Sequence, residues 1–276
     1  MLDQPALEDA FAGCDVIVHL AAKISIRGDR DGAVRRTNVE GTRSALAAAR
    51  SAGAGRFVHV SSIHAMKLED AEGVADERLP LVGEGAFAYD RSKADGERIV
   101  LAAASSGLDA IVLRPTGILG PHDYMVSRAG TMLREFFRGQ RPLLIPGGYD
   151  WVGARDVAAA IVSAASRGRA GQSYLLSGQW VSIEDLARLC GQVSGRVRTR
   201  PILPRWMAMA ALPFVEALAD MRSGEPLFTR ESLAAVASNC RNISSRKAAG
   251  ELGFTVRPVE ETLRDTFDWL RSGGFG

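Results

Sequence analysis

The first half of the chain alternates short apolar strands with helices, and this order restricts the folds that it can adopt. The predicted strands are residues 15–22, 56–62 and 110–115, which are rich in β-branched residues and have the length of buried strands. Helices are predicted over 34–52 and 90–104, and a glycine follows each of them closely. Strands joined in this way by helices predict a doubly wound α/β fold with a parallel sheet.

The second half of the chain is predicted to contain helices and one more strand. The sequence indicates helices over 156–166 and 258–270 and a strand over 172–176. Ser182 precedes Asp185 by three residues, a spacing that caps the start of a further helix. We therefore expect a smaller, mainly helical domain in this half.

The length of 276 residues is sufficient for two domains. We predict that residues 1–120 form the sheet domain and residues 121–276 the second domain, with 151–178 returning to the sheet. The second domain would then provide most of the substrate pocket.

Composition narrows the classes of partner. The net charge of +2, without a basic block, argues against nucleic-acid binding and favours a small-molecule substrate. The three cysteines are odd in number and lack metal-ligand spacing, and the four histidines form no close pair in sequence, so no metal site is predicted. Reduced cysteines and the lack of a signal peptide at the start favour a cytoplasmic protein.

Tyr89 and Lys93 are the most informative pair of side chains. Their spacing of four at the start of a predicted helix puts both on one helix face. A free tyrosine titrates near pH 10, and a nearby ammonium would favour its phenolate form and lower its pKa. Such a tyrosine is suited to act as general acid and base on a carbonyl/alcohol couple.

Four small residues form the last positions of the first two predicted strands. Ser61 and Ser62 end the second strand, where ligands bind in open α/β sheets, and a hydroxyl there can donate to a substrate carbonyl oxygen. Ala21 and Ala22 end the first strand and are small enough to admit a flat ring.

Five motifs together resemble the extended short-chain dehydrogenases/reductases, in their order and approximate spacing. This family includes NAD-dependent epimerase/dehydratases, dihydroflavonol-reductase-like enzymes and 3β-hydroxysteroid dehydrogenases. The motifs are residues 15–22 (DVIVHLAA), 37–42 (TNVEGT), 60–62 (VSS), 89–93 (YDRSK) and 113–121 (LRPTGILGP). The resemblance implies a Rossmann-type sheet and a cofactor that is either NAD or NADP. It is also compatible with a homodimer.

The resemblance also assigns roles to the matching residues. Tyr89 would be the catalytic acid/base, Lys93 would bind the nicotinamide ribose and lower the pKa of the tyrosine, and Ser62 would hydrogen-bond the reacting oxygen. The remaining cofactor-binding residues would be Ala21, Ala22, Ser61, Pro115 and Ile118, of which the last two would flank the nicotinamide. Asn38 is expected to tie a helix to a strand rather than to take part in the chemistry.

Three functions are compatible with these motifs. The first is hydride transfer between NAD(P) and a ketone or secondary alcohol, the second is a nucleotide-sugar epimerase or dehydratase, and the third is a non-catalytic dinucleotide-binding relative. Intact Ser62, Tyr89 and Lys93 argue against the third. The sequence around Arg114 resembles the reductase and steroid-dehydrogenase branch, and Ser62 is followed by Ile63 and His64 rather than by an acidic pair, which disfavours a dehydratase.

Residues 206–215 form an uncharged run that is too short to span a bilayer. The sequence favours a core or substrate-covering helix here, bent by Pro213, over a peripheral membrane contact.

The glycine-rich loop that should hold the cofactor pyrophosphate is not found before Asp15. Residues 1–5 instead resemble the family's stretch after its third strand. We therefore expect an amino-terminally truncated domain that lacks its first strands and binds dinucleotide poorly, which could leave the chain as given inactive, with a natural short form as the alternative.

Overall fold

The computed structural model describes residues 1–25, 28–221, 229–230, 233 and 240–274, and the chain divides into two compact units. The chain leaves the first unit after Thr116 and returns to it twice. Residues 151–155, predicted to return to the sheet domain, belong instead to the second unit, because 151–153 pair with strands there. The first unit contains Met1–Thr116, Asp156–Ser177 and Asn242–Thr255, and the second contains Gly117–Arg155, Gly178–Arg241 and Val256–Gly276.

Four parallel strands form the sheet of the first unit in the order β1-β2-β3-β6. These strands are β1 (Val16–His19), β2 (Arg56–Val60), β3 (Ala110–Pro115) and β6 (Ser173–Leu176). The predicted α/β fold with a parallel sheet is confirmed. Every residue of β3 is buried, as expected for a strand that is covered on both faces.

Six helices of the described residues belong wholly or mainly to the first unit. The predicted helix over 34–52 is confirmed, with a π-helical segment at Arg36–Glu40. Apolar side chains such as Phe57 and Val100 form the core between the sheet and the helices. The helices are α1 (Gln4–Phe11), α2 (Ala33–Arg35), α3 (Gly41–Ser51), α4 (Ala88–Ser105), α6 (Ala154–Ala164) and α9 (Arg246–Leu252).

Among its described residues, the second unit contains four helices and a small sheet that the sequence did not predict. In this sheet β4 runs parallel to β5, which pairs with β7 in antiparallel orientation. Its core joins Phe136, Leu186 and Leu263 from three of the helices. The elements are β4 (Gly117–Leu119), β5 (Gly148–Gly153), β7 (Gln179–Ser182), α5 (Arg128–Arg138), α7 (Ile183–Ser194), α8 (Arg205–Met221) and α10 (Val259–Arg271).

The uncharged run 206–215 lies in α8, with Pro213 inside the helix. Ala208 and Leu212 face a small core cluster, whereas Trp206 is exposed. In the first turns of the helix the run therefore has one buried face and one face exposed to solvent. Among the helices that the structure describes, none combines the length and apolar character needed to cross a membrane.

Candidate active site

The carboxyl ends of β1, β2 and β3 lie at one edge of the first unit's sheet. Register pairs His19 with His59 and Val60 with Leu113, so the residues that follow β1 and β2 emerge side by side. A backbone hydrogen bond of 2.7 Å from the Ser61 amide to the Leu113 carbonyl continues this alignment. The edge thus brings together the predicted residues at the ends of these strands, Ala21, Ala22, Ser61, Ser62 and Pro115.

Ser62 is buried at the point where the chain leaves β2. Its hydroxyl oxygen accepts a hydrogen bond from the His64 amide at 3.2 Å and caps a single helical turn, Ile63–Ala65. This turn packs against α4. The cap holds the Ser62 hydroxyl in a defined position beside the helix that carries Tyr89.

Tyr89 lies in the first turn of α4, within hydrogen-bonding reach of Ser62. Burial raises the pKa of the Tyr89 phenol to about 12, the Ser62 hydrogen bond opposes this rise, and the Asp90 carboxylate adds to it. The sequence predicted a lowered pKa through Lys93. The structure shows the opposite direction, because desolvation of the phenolate outweighs the stabilising interactions.

Lys93 lies one helical turn after Tyr89 and is buried. Its Nζ donates a hydrogen bond to the Val60 carbonyl at 2.8 Å. Burial lowers the pKa of this ammonium to about 8, while the Glu97 carboxylate opposes the change. The cation is therefore directed at the end of β2, where its remaining N–H groups can serve a ligand.

Asn38 holds the loop after β1 against α4. Its side-chain amide donates to the Lys23 carbonyl at 2.9 Å and to the Ser92 hydroxyl at 2.8 Å, and its oxygen accepts from the Lys23 amide at 2.7 Å. Ser92 in turn donates to the Tyr89 carbonyl. These bonds agree with the predicted tying role. Asn38 also lies in the π-helical segment Arg36–Glu40, and such segments are common near functional sites.

Two histidines that the sequence did not pair are stacked beneath Lys93. His19 and His59 are register partners, with ring centroids 5.3 Å apart, and His19 also contacts the Thr42 hydroxyl at 3.1 Å. Burial, with the Lys93 charge as a second cause, lowers the pKa of His19 to about 4 and that of His59 well below its usual value. Only the strand alternation could have revealed this pair, since both residues occupy the same face of adjacent strands.

A second pair missed by the sequence consists of His64 and Asp90. The His64 Nδ1 lies 3.3 Å from an Asp90 carboxylate oxygen. The imidazole also packs edge-on against the Tyr89 ring, with the two ring centroids 6.1 Å apart. Asp90 follows Tyr89 directly, and His64 follows Ser62 by two residues. The site therefore contains an acid and an imidazole that approach each other only in the fold.

A buried ion pair fixes α4 to β3 below the site. Glu97 is fully buried, Arg114 is 4% exposed, and the Arg114 Nε lies 3.0 Å from a Glu97 oxygen. The Ser173 hydroxyl donates to the same carboxylate at 3.0 Å, which adds β6 to the network. Glu97 lies one turn after Lys93, so this network positions the segment of helix that carries both Lys93 and Tyr89.

The residues at this edge are suited to the nicotinamide end of a dinucleotide. Ala21 and Ala22 are exposed and small, so the backbone beside them is open to a flat ring. The buried Ser61 hydroxyl has no hydrogen-bond partner among the described residues and can accept or donate one. Pro115 is buried at the end of β3, and Ile118 lies in β4 of the second unit, so the predicted contact of Ile118 with the nicotinamide stays a prediction.

A parallel Rossmann-type sheet with a serine at one strand end, and with a tyrosine and a lysine on the neighbouring helix, is typical of a class of dinucleotide-dependent enzymes. Residues 1–177 match the profile of the NAD dependent epimerase/dehydratase family. The chain belongs to this family, which confirms the predicted membership of the extended short-chain dehydrogenases/reductases.

Individual relatives cover nearly the whole chain. It is 33% identical to the sterol demethylase protein B of Methylococcus capsulatus, over 99% of this chain and 83% of the relative. It is 31% identical to the 4-hydroxy-2-methyl-3-oxo-4-farnesyl-3,4-dihydroquinoline-1-oxide ketoreductase of Stigmatella aurantiaca, over 97% of this chain and 80% of the relative. The crystal structure of gox2253 superposes with a TM-score of 0.82 at 29% identity and covers 99% of this chain and 84% of that one.

Family membership confirms the predicted use of NAD or NADP, and it defines the activity broadly as that of an NAD(P)-dependent oxidoreductase or epimerase/dehydratase. The choice between these reactions depends on the site itself.

Proposed function

We propose that this protein transfers a hydride between a nicotinamide cofactor and a ketone or secondary alcohol, with Tyr89 as the acid/base. The observation that carries this proposal is the convergence of three groups at the end of β2: the Ser62 hydroxyl, the Tyr89 phenol with which it interacts, and the Lys93 ammonium, which donates to the Val60 carbonyl. Two hydroxyls and an ammonium provide the polar contacts that a carbonyl oxygen requires when it becomes an alcohol.

The cofactor supplies or accepts the hydride, and the chain moves the proton. In ketone reduction the Ser62 hydroxyl donates a hydrogen bond to the substrate oxygen, and the Tyr89 Oη delivers its proton as charge develops there. With its raised pKa, Tyr89 is protonated at neutral pH and so has a proton to deliver. The Lys93 ammonium, which donates to the Val60 carbonyl, can hold the ribose hydroxyls of the cofactor with its remaining N–H groups.

The relatives support a reductase or dehydrogenase. One is named as a ketoreductase and another as a sterol demethylase protein, and each covers almost the whole of this chain. Both names are compatible with chemistry at a ketone or an alcohol on a largely apolar substrate. The proposal holds whether the chain acts alone or as a homodimer.

A nucleotide-sugar epimerase or dehydratase is the second candidate. Its support is the family's own description and the His64–Asp90 pair, which supplies a further proton donor and acceptor beside Tyr89. In that reaction Tyr89 would begin a transient oxidation of the sugar, and the His64–Asp90 pair would handle a second proton.

The deciding experiment distinguishes a net change in the oxidation state of the cofactor from a transient one that is reversed within each turnover. NADH and NADPH oxidation is followed optically with a panel of cyclic and sterol-like ketones, and nucleotide sugars are incubated with NAD⁺ and resolved by chromatography. Ketone-dependent oxidation supports the reductase. Sugar isomers or dehydrated sugars without net NADH formation would replace it with the second candidate, and no turnover with bound dinucleotide would favour the non-catalytic relative.

Replacement of the Ser62 hydroxyl is expected to affect turnover strongly. Ser62→Ala should lower kcat by about 10²-fold, the usual effect of losing one donor to a developing oxyanion. Steady-state kinetics at saturating cofactor measure the change. Ser62→Thr keeps a hydroxyl and serves as the control, and equal rates for Ser62→Ala and Ser62→Thr would remove Ser62 from the chemistry.

Burial of the Lys93 ammonium predicts a specific pH dependence of stability. The pKa of Lys93 is about 8 in the folded state and about 10.4 in an unfolded chain, so the folded state binds fewer protons between these values. The contribution of this residue to the free energy of unfolding therefore rises by up to about 3 kcal/mol as the pH increases from about 8 to about 10.4.

Comparison with Lys93→Met isolates this effect, since other titrating groups are common to both proteins. Urea unfolding across this pH range should show wild type gaining stability relative to Lys93→Met. A difference between the two proteins that stays constant with pH would mean that the ammonium is better solvated than its burial implies.

A further inference from the structure

An exposed strip of basic and apolar side chains runs along the second unit. We define the strip as residues 195–209, which link α7 to the first turns of α8. Arg196, Arg198 and Arg205 are exposed. Between and beside them lie exposed apolar residues, namely Val197 at 67%, Ile202 at 42%, Trp206 at 71% and Met207 at 41%.

The strip is held in place by its backbone and by two of its arginine side chains. The amides of Leu144 and Leu203 donate to the carbonyls of Pro201 and Leu144, at 3.0 and 2.8 Å. Arg198 and Arg200 also donate to carbonyls at the end of α5 and just after it. These contacts order the segment without covering its outward apolar side chains.

The core of the second unit does not account for the exposed apolar residues. In α8 the inward positions are Ala208 and Leu212, which pack in a cluster with Leu233. Trp206 and Met207 lie in the first turn of the same helix and remain open to solvent. A large apolar ring beside arginines is the arrangement that inserts at a lipid–water interface.

The charged side chains of the strip itself have a single sign. Between Asp185 and Glu216 the sequence contains no acidic residue, while its arginines are Arg188, Arg196, Arg198, Arg200 and Arg205. A cleft next to the strip is lined by further arginines of α5 and α10, over an apolar floor that includes Phe137 and Phe267. The chain as a whole carries a net charge of only +2, so this positive charge is concentrated locally.

We propose that residues 195–209 dock the protein on an anionic lipid membrane surface. The arginines would pair with lipid phosphates, while Trp206 and its apolar neighbours would enter the boundary between headgroups and acyl chains. Attraction of basic residues to an anionic leaflet and burial of apolar side chains add to each other in such a contact. Alternating basic and apolar side chains suit this surface better than the uniformly polar backbone of a nucleic acid.

Vesicle sedimentation tests the proposal with the chain as it exists. Wild type is mixed with vesicles of phosphatidylcholine alone or of phosphatidylcholine with phosphatidylglycerol, and the bound fraction is measured after centrifugation. We expect binding to the mixed vesicles that weakens with added salt. The variant Arg196→Gln/Arg198→Gln/Arg205→Gln should bind them about 100-fold more weakly, and Trp206→Ser about tenfold more weakly.

The control removes the same charge elsewhere. Arg43, Arg78 and Arg246 are exposed and outside the strip, so Arg43→Gln/Arg78→Gln/Arg246→Gln should bind like wild type. Circular dichroism verifies that all variants are folded. Loss of binding confined to the strip variants supports the proposal. Two results would overturn it. One is wild type that stays unbound with both kinds of vesicle, as expected if the strip docks a protein instead. The other is a strip variant that binds as well as the control.

Discussion

Tyr89→Phe is expected to lower kcat by about 10³-fold, within the range attributed to a positioned general acid. The change removes one oxygen and retains the ring that packs against His64, so the fold should persist. Proton delivery to the substrate oxygen would then depend on water. Single-turnover oxidation of NADH or NADPH with a ketone substrate measures the loss directly and separates chemistry from product release.

Tyr174→Phe is the matched control for this prediction. It makes the same chemical change in a tyrosine that donates to Glu251 at 2.7 Å, on the part of the first unit formed by β6 and α9. Tyr174→Phe should lower the free energy of unfolding by on the order of 1 kcal/mol and should retain the turnover per folded molecule. If Tyr89→Phe and Tyr174→Phe kept similar kcat values, Tyr89 would not be the acid/base.

The arrangement of the first unit was predictable because its signals are local. Strands such as Ala110–Pro115 begin with a short apolar run, here residues 110–113, and Tyr89 and Lys93 lie at a fixed spacing on one helix. Parallel order then brings the strand ends to one edge, which is why Ser61 and Ser62 could be expected beside a ligand. These predictions required only periodicity and the topology rules of α/β sheets, whereas the joint role of Ser62 and Tyr89 came from the family resemblance.

The features that sequence reasoning missed depend on long-range contacts. Glu97 and Arg114 are 17 residues apart, and His19 and His59 are 40 apart, so their partners appear only when strand register is known. The direction of the Tyr89 pKa was mispredicted for the same reason. The distance from Lys93 could be estimated along the helix, whereas the desolvation that dominates the shift arises from residues distant in sequence.

The small sheet of the second unit was missed because its strands are short and weakly patterned. Gly117–Leu119 has only three residues, and Gly148–Gly153 begins and ends with glycine. At Gly117 an added Cβ would lie 2.7 Å from the Trp151 ring, so glycine is required there for close packing and not for a turn. Glycine in a strand ordinarily lowers the expectation of a strand, and here it permits one.

Removal of the Glu97 carboxylate is expected to be the most destabilising single change at the site. Glu97→Ala leaves the Arg114 guanidinium buried without its counter-ion and also removes the acceptor for the Ser173 hydroxyl. Breaking a buried pair from one side costs about 3–5 kcal/mol. Because whole domains are stable by only about 5–15 kcal/mol, Glu97→Ala should shift the urea midpoint strongly or prevent folding.

Two comparisons separate this effect from a general weakening of α4. Asp95→Ala breaks the exposed pair with Arg98 on the same helix and should cost at most about 1 kcal/mol. The double variant Glu97→Leu/Arg114→Met removes both buried charges and should recover much of the lost stability, since no ion then remains unpaired. It remains informative even if Glu97→Ala does not fold. Equal urea midpoints for Glu97→Ala and Asp95→Ala, or a double variant less stable than Glu97→Ala, would show that the pair does not hold α4 on β3.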